Sequence, residues 1–244
     1  MPKQESPVDR RGAMDGAWLF LCGPADAVAA SAASTPAALA DLLRRSGLAD
    51  AGDDGAPAMP PRRLRLGDTS IPIAWGDDAA ALLRASGAEM AGNAPEMAQN
   101  MVLALSIDLP PAQRCVGAQR LCAAAAMLVS ALPVEHLYWS PAQLWSAAAP
   151  FQNAVVAQDA HGVPPVLHLV QFYQDGPSLL ATMGLRWFNG QELRVQGPGG
   201  MAGAELMRRA ARLAIAGMVN GPYAVIETVP GLDGGEDIRL TPVV

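Results

Sequence analysis

The apolar residues in the first half of the chain fall into runs that have the spacing of strands and helices. Strand-like runs, either apolar throughout or alternating with polar residues, lie at 17–22, 64–66, 71–75, 100–109 and 134–139. Helical runs, bounded by start and stop signals, lie at 36–46, at about 77–87 and from 111 to about 132. Residues 49–62 have the composition of a loop. The order β-α-β-β-α-β-α-β is close to a ferredoxin-like unit with one additional strand.

The second half of the chain begins with aromatic residues and predicts a meander of antiparallel strands. Ser140-Pro141 predicts a short helix that carries Leu144 and Trp145. A polar linker is expected after it, at 152–165. Three strands follow, at 166–174, 178–188 and 191–196. The dipeptides Asp175-Gly176 and Asn189-Gly190 favour tight turns between the strands, and the second of them fits a type I′ turn.

Within the meander, period-two alternation assigns the side chains to two faces. One face is predicted to point inward and to carry Leu179, Met183, Leu185 and Trp187. On the last strand, the apolar residues Leu193 and Val195 leave Glu192 on the solvent side. Replacing Trp187 with Ala is therefore expected to cost about 3 to 5 kcal/mol, and replacing Glu192 less than about 0.5 kcal/mol. A helix at about 203–219 is expected to cover the inward face, and two closing strands are expected at 223–229 and 237–242.

These elements predict an α+β fold, in which a ferredoxin-like N-terminal half packs with a C-terminal antiparallel meander and helix. Residues 1–15 are polar and show no periodicity, which is typical of a disordered lead-in. Ser140 follows Trp139 directly, so the sequence contains no linker between the halves. We therefore expect residues 16–244 to form one composite domain or two closely packed lobes, at about 16–139 and 140–244.

The composition favours a folded protein of a reducing compartment such as the cytoplasm. Hydrophobic residues make up 51% of the chain and charged residues 16%, which is enough apolar material for a core. A net charge of −6 disfavours binding to nucleic acid or to anionic membranes, although it leaves a protein partner open. The 3 cysteines are too few for a disulfide framework and indicate a reducing compartment.

The N-terminus has a superficial likeness to a secretory leader, because Arg10-Arg11 precedes the apolar run at 18–22. However, Glu5 and Asp9 weaken the positive charge, and Gly23-Pro24 interrupts the apolar run. Apolar runs also stay below the about 18 to 20 residues that span a bilayer. The sequence therefore predicts neither export nor a membrane segment.

No motif specifies a catalytic residue, a cofactor or a metal. Residues 197–202 match the glycine pattern of a dinucleotide-binding loop, but they follow a hairpin strand and lack an acidic residue about 20 positions later. The three histidines do not cluster with other metal ligands, and a Ser140–His168 pair lacks the sequence of a nucleophile elbow. We therefore predict no catalytic, cofactor or metal site.

The aromatic residues allow two interpretations. Trp139, Trp145, Phe172 and Trp187 are of the type that fills a core, but they could also form the floor of a ligand pocket. Arg186 lies beside Trp187 on the polar side and is a candidate for contact with an anion or a partner. The candidate ligand or partner surface therefore consists of Trp139, Trp145, Arg186 and Trp187.

Several segments of the second half resemble the C-terminal half of the bacterial domain of unknown function 4261. They are Leu137-Tyr138-Trp139, Thr182-Met183-Gly184-Leu185, Asn189-Gly190-Gln191-Glu192-Leu193 and Val219-Asn220-Gly221-Pro222. Pro72-Ile73 followed by Trp75 is similar to the N-terminal portion of that family. The resemblance implies a soluble bacterial α+β domain and brings no catalytic residues. Residues 49–62 and 152–165 are the places where this chain departs from the family pattern.

Two functions follow as hypotheses. The first is a non-enzymatic interaction module, for example an immunity-like or accessory protein that binds another protein by charge complementarity. The second is an enzyme or a small-molecule-binding protein with a pocket between the two lobes. The sequence specifies neither the ligand nor the oligomeric state.

Overall fold

Two antiparallel sheets form the framework of the protein. The computed structural model describes residues 16–24, 63–66, 69–91, 94–95, 100–198, 202–223, 227–229 and 238–243. The first sheet, ordered β2-β3-β4-β1-β5-β6, contains β1 (Ala17–Pro24), β2 (Arg63–Leu66), β3 (Thr69–Trp75), β4 (Asn100–Ile107), β5 (His136–Trp139) and β6 (Leu144–Ala147). The second sheet, ordered β10-β11-β9-β8-β7, contains β7 (Gln171–Gly176), β8 (Leu179–Met183), β9 (Glu192–Gln196), β10 (Glu227–Val229) and β11 (Ile238–Val243).

The helices connect and cover these strands. They are α1 (Gly76–Ala85), α2 (Pro111–Ala131), α3 (Ala148–His161), α4 (Val166–Leu169), α5 (Leu185–Asn189) and α6 (Gly203–Asn220). The predicted α+β class is confirmed. Strands β5, β1, β4 and β3 lie side by side in the order of a ferredoxin-like sheet, and the sheet has two additional strands, β2 at one edge and β6 at the other, where the sequence predicted one.

The first sheet is covered on both faces, which explains the continuous apolar run of β1. On one face, Leu19 and Leu21 pack with α2 in the main core. On the other face, Phe20 and Cys22 pack with α1 in a second cluster. Because successive residues of a strand point to opposite faces, a strand between two helical layers has to be apolar at every position.

Two predictions for residues 140–165 are wrong. Leu144 and Trp145 lie on strand β6, not on a helix, because Gln143 adopts a left-handed φ of 49° and ends the short turn that starts at Ser140. The predicted linker is mostly helix α3, which buries Phe151 and Val155. These two residues are four positions apart, as on one face of a helix, and no charged residue precedes Asp159 in this segment. The prediction of a linker rested on the polar residues of the segment and did not use this helical spacing.

The meander is present, but its strands are shorter than predicted. Residues 166–169 form α4, and residues 185–189 form α5, where the sequence predicted strand. The first turn is centred on Pro177-Ser178, since Gly176 pairs with Leu179. Asn189-Gly190 ends α5 and does not form a type I′ turn between strands.

The predicted inward face is also wrong for β8, although Leu185 and Trp187 of the same predicted set do pack in the main core. Leu180 pairs with Val195, which is fully buried beneath α6, whereas Ala181 pairs with Arg194. Residues that pair directly lie on the same face of a sheet. Leu179 and Met183 therefore lie on the face that points away from α6.

The end of the chain agrees with the sequence prediction. Helix α6 covers the predicted span and buries Leu206 and Ala210. The two predicted closing strands are present as β10 and β11, which pair with each other, although Tyr223 is not part of a strand. Four predicted features lie outside the described residues. They are the lead-in at 1–15, the helix at 36–46, the loop at 49–62 and the centre of the glycine motif at 199–201.

Candidate functional site

The four residues of the predicted surface are divided between two sides of the first sheet. Trp139 points into the main core, and Trp187 of α5 packs on it edge to face, with 5.3 Å between ring centroids. Arg186 precedes Trp187 on α5, and its Nε atom is buried without a hydrogen-bond partner. Trp145 lies on the other side, in the cluster with α1. The structure thus brings Trp139 and Trp187 together and separates Trp145 from them.

Trp187 joins α2 to α5. The guanidinium of Arg114 on α2 lies 5.3 Å from the centre of the Trp187 ring and donates a hydrogen bond from Nη1 to the Trp187 carbonyl. Phe188 packs edge to face on the same ring at 4.7 Å. The partly buried ring thus contacts aromatic and cationic neighbours, as in a packing contact.

Trp145 is fixed by its own contacts. Its indole Nε1 donates a hydrogen bond to the Ala88 carbonyl at 3.0 Å, and its ring lies 4.9 Å from that of Tyr138. Tyr138 in turn donates from its hydroxyl to the Ser86 carbonyl. These bonds satisfy polar groups of a core and tie β5 and β6 to the segment after α1.

Glu192 makes an interaction that the sequence did not suggest. Its carboxylate accepts hydrogen bonds from the Thr182 hydroxyl and from the backbone N–H groups of Gly184, Leu185 and Arg186, at 2.8, 2.8, 3.2 and 3.2 Å. The three N–H groups belong to the start of α5, where they have no partner within the helix. Glu192 therefore caps α5 from the neighbouring strand. The prediction that Glu192 is simply solvated is wrong.

Thr182 and Gly184 make this cap possible. The Thr182 hydroxyl accepts a hydrogen bond from the Leu193 N–H at 2.8 Å, so its single proton is directed to Glu192. Gly184 has a φ of 98°, which turns the chain out of β8. Burial raises the pKa of the Glu192 carboxyl, and the four hydrogen bonds act against that rise.

The face of the second sheet that points away from α6 carries a group of partly exposed side chains. We call it the open face. Its described side chains include Tyr173, Asp175, Leu179, Ala181, Met183, Glu192, Arg194 and Thr241, and all of them except the buried Ala181 are at least partly exposed. Four of these residues form one row across the strands, Tyr173–Ala181–Arg194–Thr241. Tyr173 is 42% exposed, and the Arg194 side chain is 52% exposed.

Charged groups border this row. The Arg194 Nε atom lies 2.9 Å from an Asp175 carboxylate oxygen, so the two form an ion pair on the open face. The pKa of Tyr173 is raised by its partial burial and by the carboxylates of Asp175 and Glu192, while Arg194 lowers it. Of these three charged groups, the two carboxylates thus act on the Tyr173 hydroxyl more strongly than the guanidinium does.

The histidine that the sequence paired with Ser140 has a different neighbour. The Nδ1 atom of His168 lies 3.0 Å from the Ser146 hydroxyl, and Phe151 packs edge to face on the ring. The Ser140 hydroxyl instead accepts a hydrogen bond from the Trp18 N–H. Burial lowers the pKa of His168, and a hydrogen bond with the Pro150 carbonyl acts in the opposite direction.

The cysteines have the environment of packing residues. Burial raises the pKa of Cys22 and Cys122 to about 12 and also raises that of Cys115, so the three thiols stay protonated at neutral pH. In the part of the chain that the structure describes, no group of three or more Cys, His, Asp or Glu side chains could hold a metal ion. None of the described helices is long and apolar enough to cross a bilayer.

The chain matches no protein-family model, no curated protein and no solved structure. The resemblance to the domain of unknown function 4261 therefore stays a prediction.

Proposed function

We propose that the protein is a non-enzymatic interaction module of the bacterial cytoplasm, immunity-like or accessory in role, which binds another protein through its open face. The proposal is in line with the resemblance to the domain of unknown function 4261, since the segments that carry this resemblance include residues of β8, α5 and β9. The observation that carries the proposal is the position of apolar residues on the solvent side of a sheet whose other side already forms the core.

The open face has the composition of a docking surface. Leu179 and Met183 flank Ala181 on β8, and Tyr173 covers the same strand from β7. Isolated apolar residues are common on protein surfaces, but neighbouring ones in adjacent rows form a continuous patch. Tyr, Met and Arg are also enriched in interfaces, with Tyr and Arg frequent among the residues that dominate binding energy.

The aromatic residues that could have lined a ligand pocket are occupied with packing. Trp139 is 1% exposed and Trp145 is 9% exposed, and they lie on opposite sides of the first sheet. A single pocket that uses both rings would have to pass through that sheet. This arrangement supports the interaction module over the pocket between the lobes.

Site-specific photo-cross-linking in the native host tests the proposal. A photoreactive phenylalanine analogue at position 173 reports on the open face, and the same analogue at position 156 is the matched control. Val156 is 65% exposed and lies on α3. It is therefore an exposed apolar residue like Tyr173, but it is not part of the open face. We expect one protein to be cross-linked from position 173 and not from position 156.

Binding of the captured protein, once purified, should then depend on the open face. Tyr173→Ala is expected to weaken its binding by about 30-fold, which corresponds to about 2 kcal/mol for a dominant interface residue. Val156→Ser should leave binding unchanged, and both variants should stay folded because both side chains are exposed. Equal binding by the Tyr173→Ala variant, or cross-linking from position 156 alone, would overturn the proposal.

A further inference from the structure

We propose that the partner presents a basic side chain, Lys or Arg, to Tyr173 on the open face, next to the carboxylate of Asp175. This inference rests on the proposed function and adds the chemistry of the partner. It requires that the cation be able to reach both the tyrosine ring and the carboxylate, and that the local field favour a positive charge.

The geometry of β7 satisfies the first requirement. Tyr173 and Asp175 are two residues apart on an edge strand of the second sheet. The pairing of β7 shifts register between Gln174 and Gly176, and the ion pair with Arg194 is what places the Asp175 carboxylate on the open face. A cation that lies over the exposed ring of Tyr173 is therefore close to the Asp175 carboxylate, and ring and carboxylate both attract it.

The described charges of the open face satisfy the second requirement. The described charged side chains are Asp175, Glu192 and Arg194, and Arg194 is already paired with Asp175. By strand register Arg239 of β11 also belongs to this side of the sheet, in the neighbouring row Leu179–Gln196–Arg239. Glu192 is held by neutral donors, so no described cation compensates its charge. Burial is the main cause of the raised pKa of Tyr173; among the charges, Asp175 and Glu192 each raise that pKa more than Arg194 lowers it.

The whole chain reinforces the local field. Its net charge of −6 attracts a basic surface over long distances and repels an acidic one. A basic partner is thus favoured both during approach and in contact, whereas an acidic partner would have to overcome both effects.

Two substitutions of one ion pair test the inference. Asp175→Asn and Arg194→Gln remove the same ion pair, but the first makes the face more positive and the second makes it more negative. The probe is an acetylated and amidated tetra-arginine peptide, titrated into the ¹⁵N-labelled full-length protein at low ionic strength, and the tetra-glutamate peptide serves as the opposite-charge probe. Amide shifts along β7 and β9 report binding at the site.

We expect the tetra-arginine peptide to shift amides near Tyr173, with a Kd about threefold weaker for Asp175→Asn and about threefold tighter for Arg194→Gln. A purely structural effect of the lost ion pair would change both affinities in the same direction. A change in the same direction, absence of shifts near Tyr173, or tighter binding of tetra-glutamate would overturn the inference. Cross-linking from position 173 decides separately on the docking function, so the two proposals can fail independently.

Discussion

At the scale of single residues, Glu192 illustrates how a polar side chain can support the fold. Removal of its carboxylate leaves the start of α5 and the Thr182 hydroxyl without an acceptor. A buried donor that loses its partner costs about 1 to 3 kcal/mol, although water can reach part of this site. We expect Glu192→Ala to lower the free energy of unfolding by about 2 to 4 kcal/mol in urea denaturation. Glu89→Ala is the matched control, because Glu89 is exposed, and it should change stability by less than about 0.5 kcal/mol. Equal effects of the two substitutions would contradict the cap.

His168 is expected to make stability depend on pH. Burial lowers its pKa below the usual 6.5 in the folded protein, while the unfolded chain keeps the usual value. His168 therefore contributes stability above pH 6.5 that is lost as the pH falls towards its lower pKa in the folded state. Urea denaturation of the wild type and of His168→Gln from pH 8 to pH 5 measures this contribution. The wild type should lose more stability on acidification than the variant, and parallel pH profiles would show that His168 does not titrate differently on folding.

At the scale of elements, the sequence predicted most strands and long helices, because their apolar spacing reflects burial directly. Strand β4 and helix α2 each bury a large apolar surface, and their observed bounds agree with those predicted from the apolar spacing. Strand β8 is different, because its sequence LLATM has apolar residues at both parities. Alternation alone could not choose its inward face. Apolar residues at both parities indicate that the strand carries apolar side chains on each of its two faces.

The break after β8 depends on contacts that are remote in sequence. Glu192 lies eight residues beyond Gly184, and no local pattern links a carboxylate to a helix start at that distance. The sequence therefore extended one strand through residues 184–188, where the structure has a turn and α5. The open face was missed for the same reason, since its residues come together only after β8 and β9 are paired in the correct register.

Gly184 provides a test of this element boundary. Its φ of 98° is strained for any residue with a Cβ atom, and a Cβ there would lie 2.7 Å from the Cβ of Ala142. Gly190 is a matched control, because its φ is 86° but nothing lies within 4 Å of the added atom. We expect Gly190→Ala to cost about 1 kcal/mol from backbone strain alone, and Gly184→Ala about 1 to 3 kcal/mol more from the clash. Thermal and urea unfolding measure both. Equal costs would mean that the contact with Ala142 relaxes freely.

At the scale of the whole molecule, the two sheets share one apolar core. The main cluster contains Leu19 and Leu103 of the first sheet together with Leu193 and Val195 of the second. Helix α2 packs on the first sheet and also contacts α5 through Trp187, which interacts with Arg114 and Trp139. The core is thus continuous across the position, between residues 139 and 140, where the sequence placed the limit of two lobes.

This shared core leads to a prediction about cooperativity. Since neither sheet can expose its side of the core without exposing that of the other, we expect residues 16–244 to unfold in one transition. Native-state hydrogen exchange at increasing urea should give the same opening free energy for the most protected amides of β4 and of β9. Trp187→Ala, which removes a large ring from the junction, should lower both values together by about 3 kcal/mol. Loss of protection in β9 at lower urea than in β4, with Trp187→Ala affecting β9 alone, would instead show two lobes that are stable independently.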